Sequence, residues 1–224
     1  MIIAIDGPSA SGKSTTAKAV SNRLGFTHID TGAMYRAVTL GIYESKIEIN
    51  NNKMVKLYLK SLKIEFDQNG NIVLNGKNVT DLIRTFKISS NVSKISAILE
   101  VRKKMVQVQR NIAGDNNCVL EGRDIGTVVF PNADFKFFLI ADINIRAKRR
   151  FADLQESNEL LTLDELIESI RKRDKLDSKR DLSPLRQAKD AIVIDTSFLT
   201  IEQQVNKIVE IVKQNKKRKH KEYV

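Results

Sequence analysis

The chain has 224 residues and a formal net charge of +11. This length suits one domain, residues 1–224, that buries a full hydrophobic core with or without an insertion. Hydrophobic residues make up 42% and charged residues 29%, close to globular averages, and no apolar stretch approaches the length of a membrane span. The composition therefore excludes a disordered chain or a membrane-spanning one.

The positive charge is unevenly distributed along the chain. Residues 213–224 form a basic tail in which six Lys or Arg residues stand against one Glu, and this tail supplies almost half of the net charge. We expect it to be frayed and solvated. The chain has no Trp to stack on bases, so no specific nucleic-acid partner is expected.

The single cysteine and the first residues of the chain indicate the cellular compartment. The one cysteine, Cys118, lies in an apolar run without a disulfide partner, so we expect a buried thiol in a reducing cytoplasm. The chain opens directly on an apolar run, which leaves no room for a signal peptide. These features predict a cytoplasmic protein, and we expect a monomer.

The most informative segment is residues 7–14, which read G-P-S-A-S-G-K-S and follow the apolar run at residues 2–5. A complete G-x-x-x-x-G-K-S between a strand and a helix is typical of a phosphate-binding loop (P-loop). We expect Lys13 to reach the β and γ phosphates and the Ser14 hydroxyl to ligate Mg²⁺. The residues expected to bind ATP in this loop are Gly7, Pro8, Ser9, Ala10, Ser11, Gly12, Lys13, Ser14 and Thr15.

Apolar runs alternate with helical patterns over most of the chain. Helices are predicted at about 13–24 and 31–43. Strands are predicted at residues 2–5, 27–30, 118–120, 135–140 and 191–194. Five buried strands separated by helices predict an α/β fold with a parallel, doubly wound five-stranded sheet flanked by helices. Such sheets bind ligands at the carboxyl ends of their strands, where residues 7–14, 30–36 and 121–124 emerge.

The pattern changes between about 62 and 80, where apolar residues alternate around an Asp-Gln-Asn-Gly turn. This alternation predicts a small antiparallel insertion beside the sheet. A long helix from about Ile88 to Ile112 is expected to return the chain to the core. Capping boxes at Thr162 and Thr200 predict the starts of two later helices.

A P-loop alone indicates only that a nucleoside triphosphate binds, because GTPases, helicases, transporters and small kinases share it. The chain lacks an Asn-Lys-x-Asp guanine-recognition pattern and is short for a helicase motor. It has Arg residues at predicted strand and helix ends, namely Arg36, Arg102, Arg123, Arg146, Arg149, Arg150, Arg173 and Arg180. Two nucleotides bound phosphate to phosphate would need such a cluster. A nucleic-acid-binding P-loop protein and a regulatory nucleotide switch stay open as alternatives.

Five motifs, taken in order, resemble those of bacterial cytidylate kinases. They are the P-loop, D-T-G-A-M-Y-R at 30–36, I-R-T at 83–85, E-G-R-D-I-G-T-V-V-F-P at 121–131, and K-R-D at 172–174 with Arg180. The resemblance covers nearly the whole chain. It implies a P-loop NTPase-like core and a nucleoside monophosphate kinase that uses ATP and Mg²⁺ to phosphorylate CMP and dCMP. Small nucleotides are then the expected partners.

The resemblance also assigns individual roles. It implies a monophosphate-binding lobe at about 31–115 with its insertion at 62–80, and a lid at about 146–160 in which Arg146 or Arg150 contacts ATP. The residues expected to be catalytic are Lys13, Arg123 and Arg180. Those expected to bind the acceptor nucleotide are Thr31, Arg36, Ser93, Arg102, Arg123, Asp124, Arg173, Asp177 and Arg180.

Base selection is expected to depend on Asp124. The resemblance implies that Ser93, Arg102 and Asp124 read the cytosine edge. A carboxylate that accepts from the exocyclic N4 amine would disfavour uracil, which has an acceptor there. One position departs from the family pattern, because Glu121 stands where many members carry Asp. Its role in orienting Mg²⁺-bound water stays open.

Simpler structural roles are expected beside these motifs. Asp30 is suited to capping the following helix, Tyr35 is interpreted as core, and His28 as a packed strand residue. Because Arg149 and Arg150 are adjacent, only one of them is expected to face the cleft.

Overall fold

The computed structural model describes residues 1–155 and 161–222 and contains two sheets. The strands are β1 (Ile2–Asp6), β2 (Thr27–Asp30), β3 (Ile64–Phe66), β4 (Ile72–Leu74), β5 (Lys77–Asn78), β6 (Cys118–Gly122), β7 (Phe135–Ile140) and β8 (Ile192–Asp195). The larger sheet has the order β2-β6-β1-β7-β8, and every neighbouring pair is parallel. The smaller one, β3-β4-β5, is antiparallel. The predicted α/β class and the antiparallel insertion are both confirmed.

Eight α-helices are present in these two ranges, besides a 3-10 helix at Leu82–Arg84 and a π-helix at Ile125–Val129. They are α1 (Lys13–Leu24), α2 (Thr31–Glu44), α3 (Asn52–Ser61), α4 (Phe86–Ser96), α5 (Leu99–Ala113), α6 (Ile143–Gln155), α7 (Leu163–Lys179) and α8 (Ile201–Glu222). Their starts follow local chemistry, because Asp30 accepts from the N–H of Ala33 and Thr162 forms a capping box with Glu165. None of the helices in the described part of the chain is long and apolar enough to cross a bilayer.

The parallel sheet has a core on each face. On one face, Ile3 and Ile5 of β1 pack with Ala17 of α1 and with α8. On the other, Ala4 packs with α2, α5 and the small sheet. Both faces of the central strands are covered, which explains why these strands read as continuous apolar runs.

The prediction of one long helix over 88–112 is wrong. Ala97 and Ile98 donate to carbonyls three residues back, which tightens and ends α4, and Ile98 itself is extended. Arg102 of α5 then donates to the Ser96 carbonyl at 3.2 Å. The break lets α4 pack on α2 and α7 while α5 packs on α3.

Two further segments differ from expectation. The helix α3 was not predicted, although Asn51 caps it by accepting from Met54 N–H. The basic tail was expected to be frayed, but α8 continues through Glu222, because Lys and Gln are good helix formers. Residues 223–224 of the tail and 156–160 of the predicted lid lie outside the described residues.

Candidate active site

A cavity of about 590 Å³ lies at the carboxyl edge of the parallel sheet. It is lined by the P-loop, the start of α2, the end of β6, and residues of α4 to α7. The predicted site residues that line it are Ser9, Ala10, Ser11, Gly12, Lys13, Ser14, Thr15, Thr31, Arg36, Ser93, Arg102, Arg123, Asp124, Arg150, Arg173, Asp177 and Arg180. The sheet thus brings residues that are far apart in sequence to one edge.

The P-loop has the backbone geometry that its glycines permit. Gly7 has φ +149°, and a Cβ there would lie 2.1 Å from the Leu139 carbonyl oxygen. Gly12, at φ +88°, precedes α1 and has no side chain to cap it, so the helix N-terminus faces the cavity uncapped. The Lys13 amine donates to the Pro8 carbonyl at 2.5 Å and to Ser11 Oγ at 3.2 Å. Burial, and then the charge of Arg123, holds the pKa of Lys13 well below its usual value.

Oxygen ligands suited to Mg²⁺ lie beside the loop. Ser14 Oγ donates to Glu121 Oε2 at 2.5 Å, and Glu121 is buried at the end of β6. Mg²⁺ prefers such hydroxyl and carboxylate oxygens, so Ser14 and Glu121 fit the ion. The other carboxylate oxygen, Oε1, lies 3.2 Å from His28 Nε2. His28 therefore contacts Glu121 of the candidate site. This contact was not expected from the interpretation of His28 as a packed strand residue.

Buried ion pairs form the acceptor side of the cavity. Asp124 accepts from Arg102 Nη2 at 2.5 Å, and its other oxygen lies 3.7 Å from Arg180. Asp177 accepts from Arg123 Nε at 3.0 Å and lies 3.9 Å from Arg180. Burial raises the pKa of Asp177, but the neighbouring guanidinium groups outweigh this and lower it. Three guanidinium groups face two carboxylates, so the cluster carries excess positive charge.

Several buried donors in the described residues have no partner. They include Arg36 Nε, Ser93 Oγ, Arg102 Nε and Arg173 Nε, and all four residues line the cavity. Burial, and then repulsion from Arg123, lowers the pKa of Arg173 to about 10. Unsatisfied buried donors and crowded positive charge are what a bound polyanion would relieve.

The start of α2 shows which roles its side chains already have. Asp30 caps the helix as expected and pairs with Arg36 at 3.2 Å. Burial raises the pKa of Asp30, but Arg36 and the Ala33 N–H together lower it below its usual value. The Thr31 hydroxyl, expected to donate to a phosphate, donates here to the Glu121 carbonyl at 2.6 Å. Tyr35 is buried, as expected for a core residue, yet it also lines the cavity.

The arginines of α6 differ from expectation. Arg146 does not line the cavity, because it donates to the carbonyls of Ala141 and Ser9 and pairs with Asp174 at 2.5 Å. The prediction that it contacts ATP is therefore not supported. Arg149 and Arg150 both line the cavity, so the expectation that only one would face it is wrong. The end of α6 lines the cavity, so the long side chains of Arg149 and Arg150 both reach it.

Sequence reasoning gave no role to two carboxylates beside the P-loop, of which Asp6 is buried and Asp174 is half-buried. Asp6, the last residue of β1, accepts from the N–H groups of Ile125 and Gly126 at 2.9 and 2.8 Å. Burial raises its pKa to about 6. Asp174 of α7 accepts from the Ser9 N–H at 3.0 Å. Two signals were available, because Asp6 directly precedes the P-loop and Asp174 ends the K-R-D motif, but the contact between Asp174 and Ser9 joins residues 165 positions apart.

Comparisons with known proteins agree with this geometry. The cytidylate kinase family profile matches residues 3–214. A cytidylate kinase of Clostridium botulinum (strain Loch Maree / Type A3) is 46% identical over 213 residues, covering 95% of this chain and 98% of that protein. One of Acholeplasma laidlawii (strain PG-8A) is 45% identical over 214 residues, covering 96% of each.

Among solved structures, an uncharacterized protein from Eubacterium ventriosum ATCC 27560 has a similar fold, with a TM-score of 0.56 at 11% identity. It covers 95% of this chain and 98% of its own. At that identity the likeness concerns the fold alone. The family assignment comes from the sequence matches, which span nearly the full length of the chain: this chain belongs to the cytidylate kinase family.

Proposed function

We propose that this protein transfers the γ-phosphoryl group of ATP to CMP, giving ADP and CDP, with Mg²⁺ required and dCMP as a second acceptor. One observation carries the proposal. A P-loop and a buried Arg and Asp cluster line the same cavity in a chain that matches cytidylate kinases over nearly its full length. The activity belongs to pyrimidine nucleotide metabolism.

On the donor side, the chain supplies charge and orientation. The P-loop N–H groups and Lys13 bind the ATP phosphates. To do so, the Lys13 amine leaves the Pro8 carbonyl and donates to phosphate oxygens instead. Ser14 and Glu121 would hold Mg²⁺, which neutralises charge on the β and γ phosphates when bound. The attacking phosphate of CMP is already an anion, so positioning and electrostatic stabilisation suffice without a strong base.

The acceptor nucleotide is proposed to lie along the buried cluster. Arg36, Arg123 and Arg173 line the same cavity as the P-loop, and we assign them to the monophosphate. Arg180 lies 3.7 Å from Asp124 and 3.9 Å from Asp177, and we assign it to the boundary between the base and sugar subsites. We assign Asp177 to a sugar hydroxyl.

The base is proposed to meet Ser93, Arg102 and Asp124. The unpartnered Ser93 Oγ and Arg102 Nε supply donors for the ring acceptors of cytosine. Both oxygens of Asp124 face guanidinium groups, which hold the carboxylate in a fixed orientation. A fixed acceptor suits the N4 amine of cytosine.

The lid is proposed to close over the donor phosphates. Arg150 lines the cavity from α6, and it replaces Arg146 as our candidate for a contact to ATP. Closure would exclude water that could otherwise accept the phosphoryl group.

The decisive experiment measures ADP formation with ATP and Mg²⁺ against CMP, dCMP, UMP, AMP, GMP and dTMP. We expect ADP only when CMP or dCMP is added, with UMP far behind. A regulatory switch would hydrolyse ATP slowly whichever monophosphate is present. A nucleic-acid-binding protein would respond to DNA or RNA instead. Either of these results would overturn the proposal.

We also propose a monomer in the cytoplasm without a membrane or specific nucleic-acid partner. Both nucleotide subsites lie within one chain, and the only cysteine, Cys118, is a buried thiol. Light scattering should give a mass near 25.3 kDa. A doubled mass would contradict the monomer without touching the assigned activity.

A further inference from the structure

The contact between His28 and Glu121 follows from sheet register. In the parallel pair β2 and β6, His28 lies opposite Val119 and Asp30 lies opposite Glu121. Side chains alternate between faces along a strand, so Val119 and Glu121 share one face, and His28 shares it with them. His28 and Glu121 are therefore diagonal neighbours, a spacing that only long side chains bridge.

That face is the one on which the P-loop helix lies. Val119 packs in the same core as Ala17 and Val20 of α1, and Ser14 stands in the first turn of that helix. A Glu side chain at position 121 extends between two elements and uses one oxygen on each: Oε2 accepts from Ser14 and Oε1 meets His28. An Asp would be one methylene shorter and could not keep both contacts.

We propose that His28 is a positioning residue for the magnesium-nucleotide site, acting through the Glu121 carboxylate that it shares with Ser14. The His28 ring N–H donates to Oε1 and thereby holds Oε2 toward Ser14. A Glu has one more rotatable bond than an Asp, so without His28 its carboxylate would lose orientation. The inference rests on the proposed function, because it assumes that Ser14 and Glu121 serve a Mg²⁺-bound nucleotide.

The test uses three substitutions in the full chain. His28→Thr keeps a good strand former but is too short to reach Glu121. His28→Gln is the matched control, because its amide N–H can still donate to the carboxylate. Glu121→Asp withdraws the carboxylate from His28, and the double variant Glu121→Asp with His28→Thr measures their coupling.

The measured quantity is the calorimetric affinity for ADP in Mg²⁺ divided by the affinity for ADP in EDTA. We expect His28→Thr to lower this ratio about 10-fold, the scale of losing a partner that orients a metal ligand. His28→Gln should restore most of it, and His28→Thr should have no further effect in the Glu121→Asp background. CMP affinity should be unchanged throughout. An unchanged ratio, or equal losses in both backgrounds, would overturn the proposal.

A second measurement avoids substitution altogether. The chain has 2 His residues, His28 and His220, so ring ¹⁵N resonances are readily assigned. We expect the His28 Nε2 resonance to shift when ADP binds with Mg²⁺ and to stay in place when ADP binds in EDTA. No difference between the two titrations would refute the role. Neither measurement involves phosphoryl transfer, so failure here is distinguishable from failure of the proposed activity.

Discussion

The strongest test of base selection is Asp124→Asn. Asp124 is only 3% exposed and pairs with Arg102 at 2.5 Å and with Arg180 at 3.7 Å. Asn keeps an oxygen that can accept from Arg102, but it removes the negative charge that faces Arg102 and leaves Arg180 with Asp177 alone. Breaking a buried pair costs about 3 to 5 kcal/mol, and we expect a loss of unfolding free energy near the lower value. The variant should therefore fold, whereas Asp124→Ala removes the acceptor as well.

The kinetic effect should be specific to the base. A carboxylate accepts from the cytosine N4 amine and cannot donate to uracil O4, whereas the Asn amide can. A site built on such a hydrogen bond rejects the wrong partner by up to about 10⁴. We expect the ratio of kcat/KM for CMP to that for UMP to narrow by about 10² or more, mainly through loss with CMP. Coupled ADP assays with each monophosphate measure this directly.

Asp177→Asn is the matched control for that experiment. Asp177 is equally buried and also pairs with Arg180, but it is assigned to the sugar. Its substitution should lower turnover of CMP and UMP alike. If Asp124→Asn leaves the CMP to UMP preference as in the wild type, the carboxylate does not read the base and serves only to pair Arg102 and Arg180.

Three other substitutions test the loop and its supports. Lys13→Met should lower kcat by roughly 10² or more and leave CMP affinity intact, and full activity would remove the P-loop from the mechanism. Asp6, with a folded-state pKa of about 6 above the unfolded value of 3.8, stabilises the fold while protonated below about pH 4 and loses this contribution as the pH rises through 6. The stability of wild type relative to Asp6→Asn in urea should therefore fall by about 2 kcal/mol from pH 4 to 7, and a constant difference would contradict the assignment. Asp174→Ala removes the acceptor of the Ser9 N–H and the partner of Arg146, and it should lower kcat about 10-fold or more while CMP affinity is unchanged. A loss of CMP affinity at unchanged kcat would count against a role of Asp174 in aligning the P-loop.

Features that depend on contiguous residues were predictable from the sequence. The P-loop binds phosphate through successive N–H groups, so its glycine spacing is itself the geometric requirement. The five parallel strands were predicted because both faces of each are covered, which makes the runs apolar throughout. The caps at Asp30 and Thr162 depend on residues only three positions apart. Part of the cavity lining was also predictable, because the segments that follow parallel strands emerge at the same edge of the sheet.

Features that depend on distant partners needed the tertiary structure. The break between α4 and α5 lets α4 pack on α7 and α5 on α3, and the helical pattern over 88–112 does not record these distant partners. Arg146 and Arg150 are indistinguishable on one helix, but Asp174, 28 residues further on, engages Arg146. Sequence determined which residue types could serve phosphate chemistry. Strand order and register decided which of them touch, because a side chain's contacts across a sheet are set by the neighbouring strand rather than by its own neighbours in the chain.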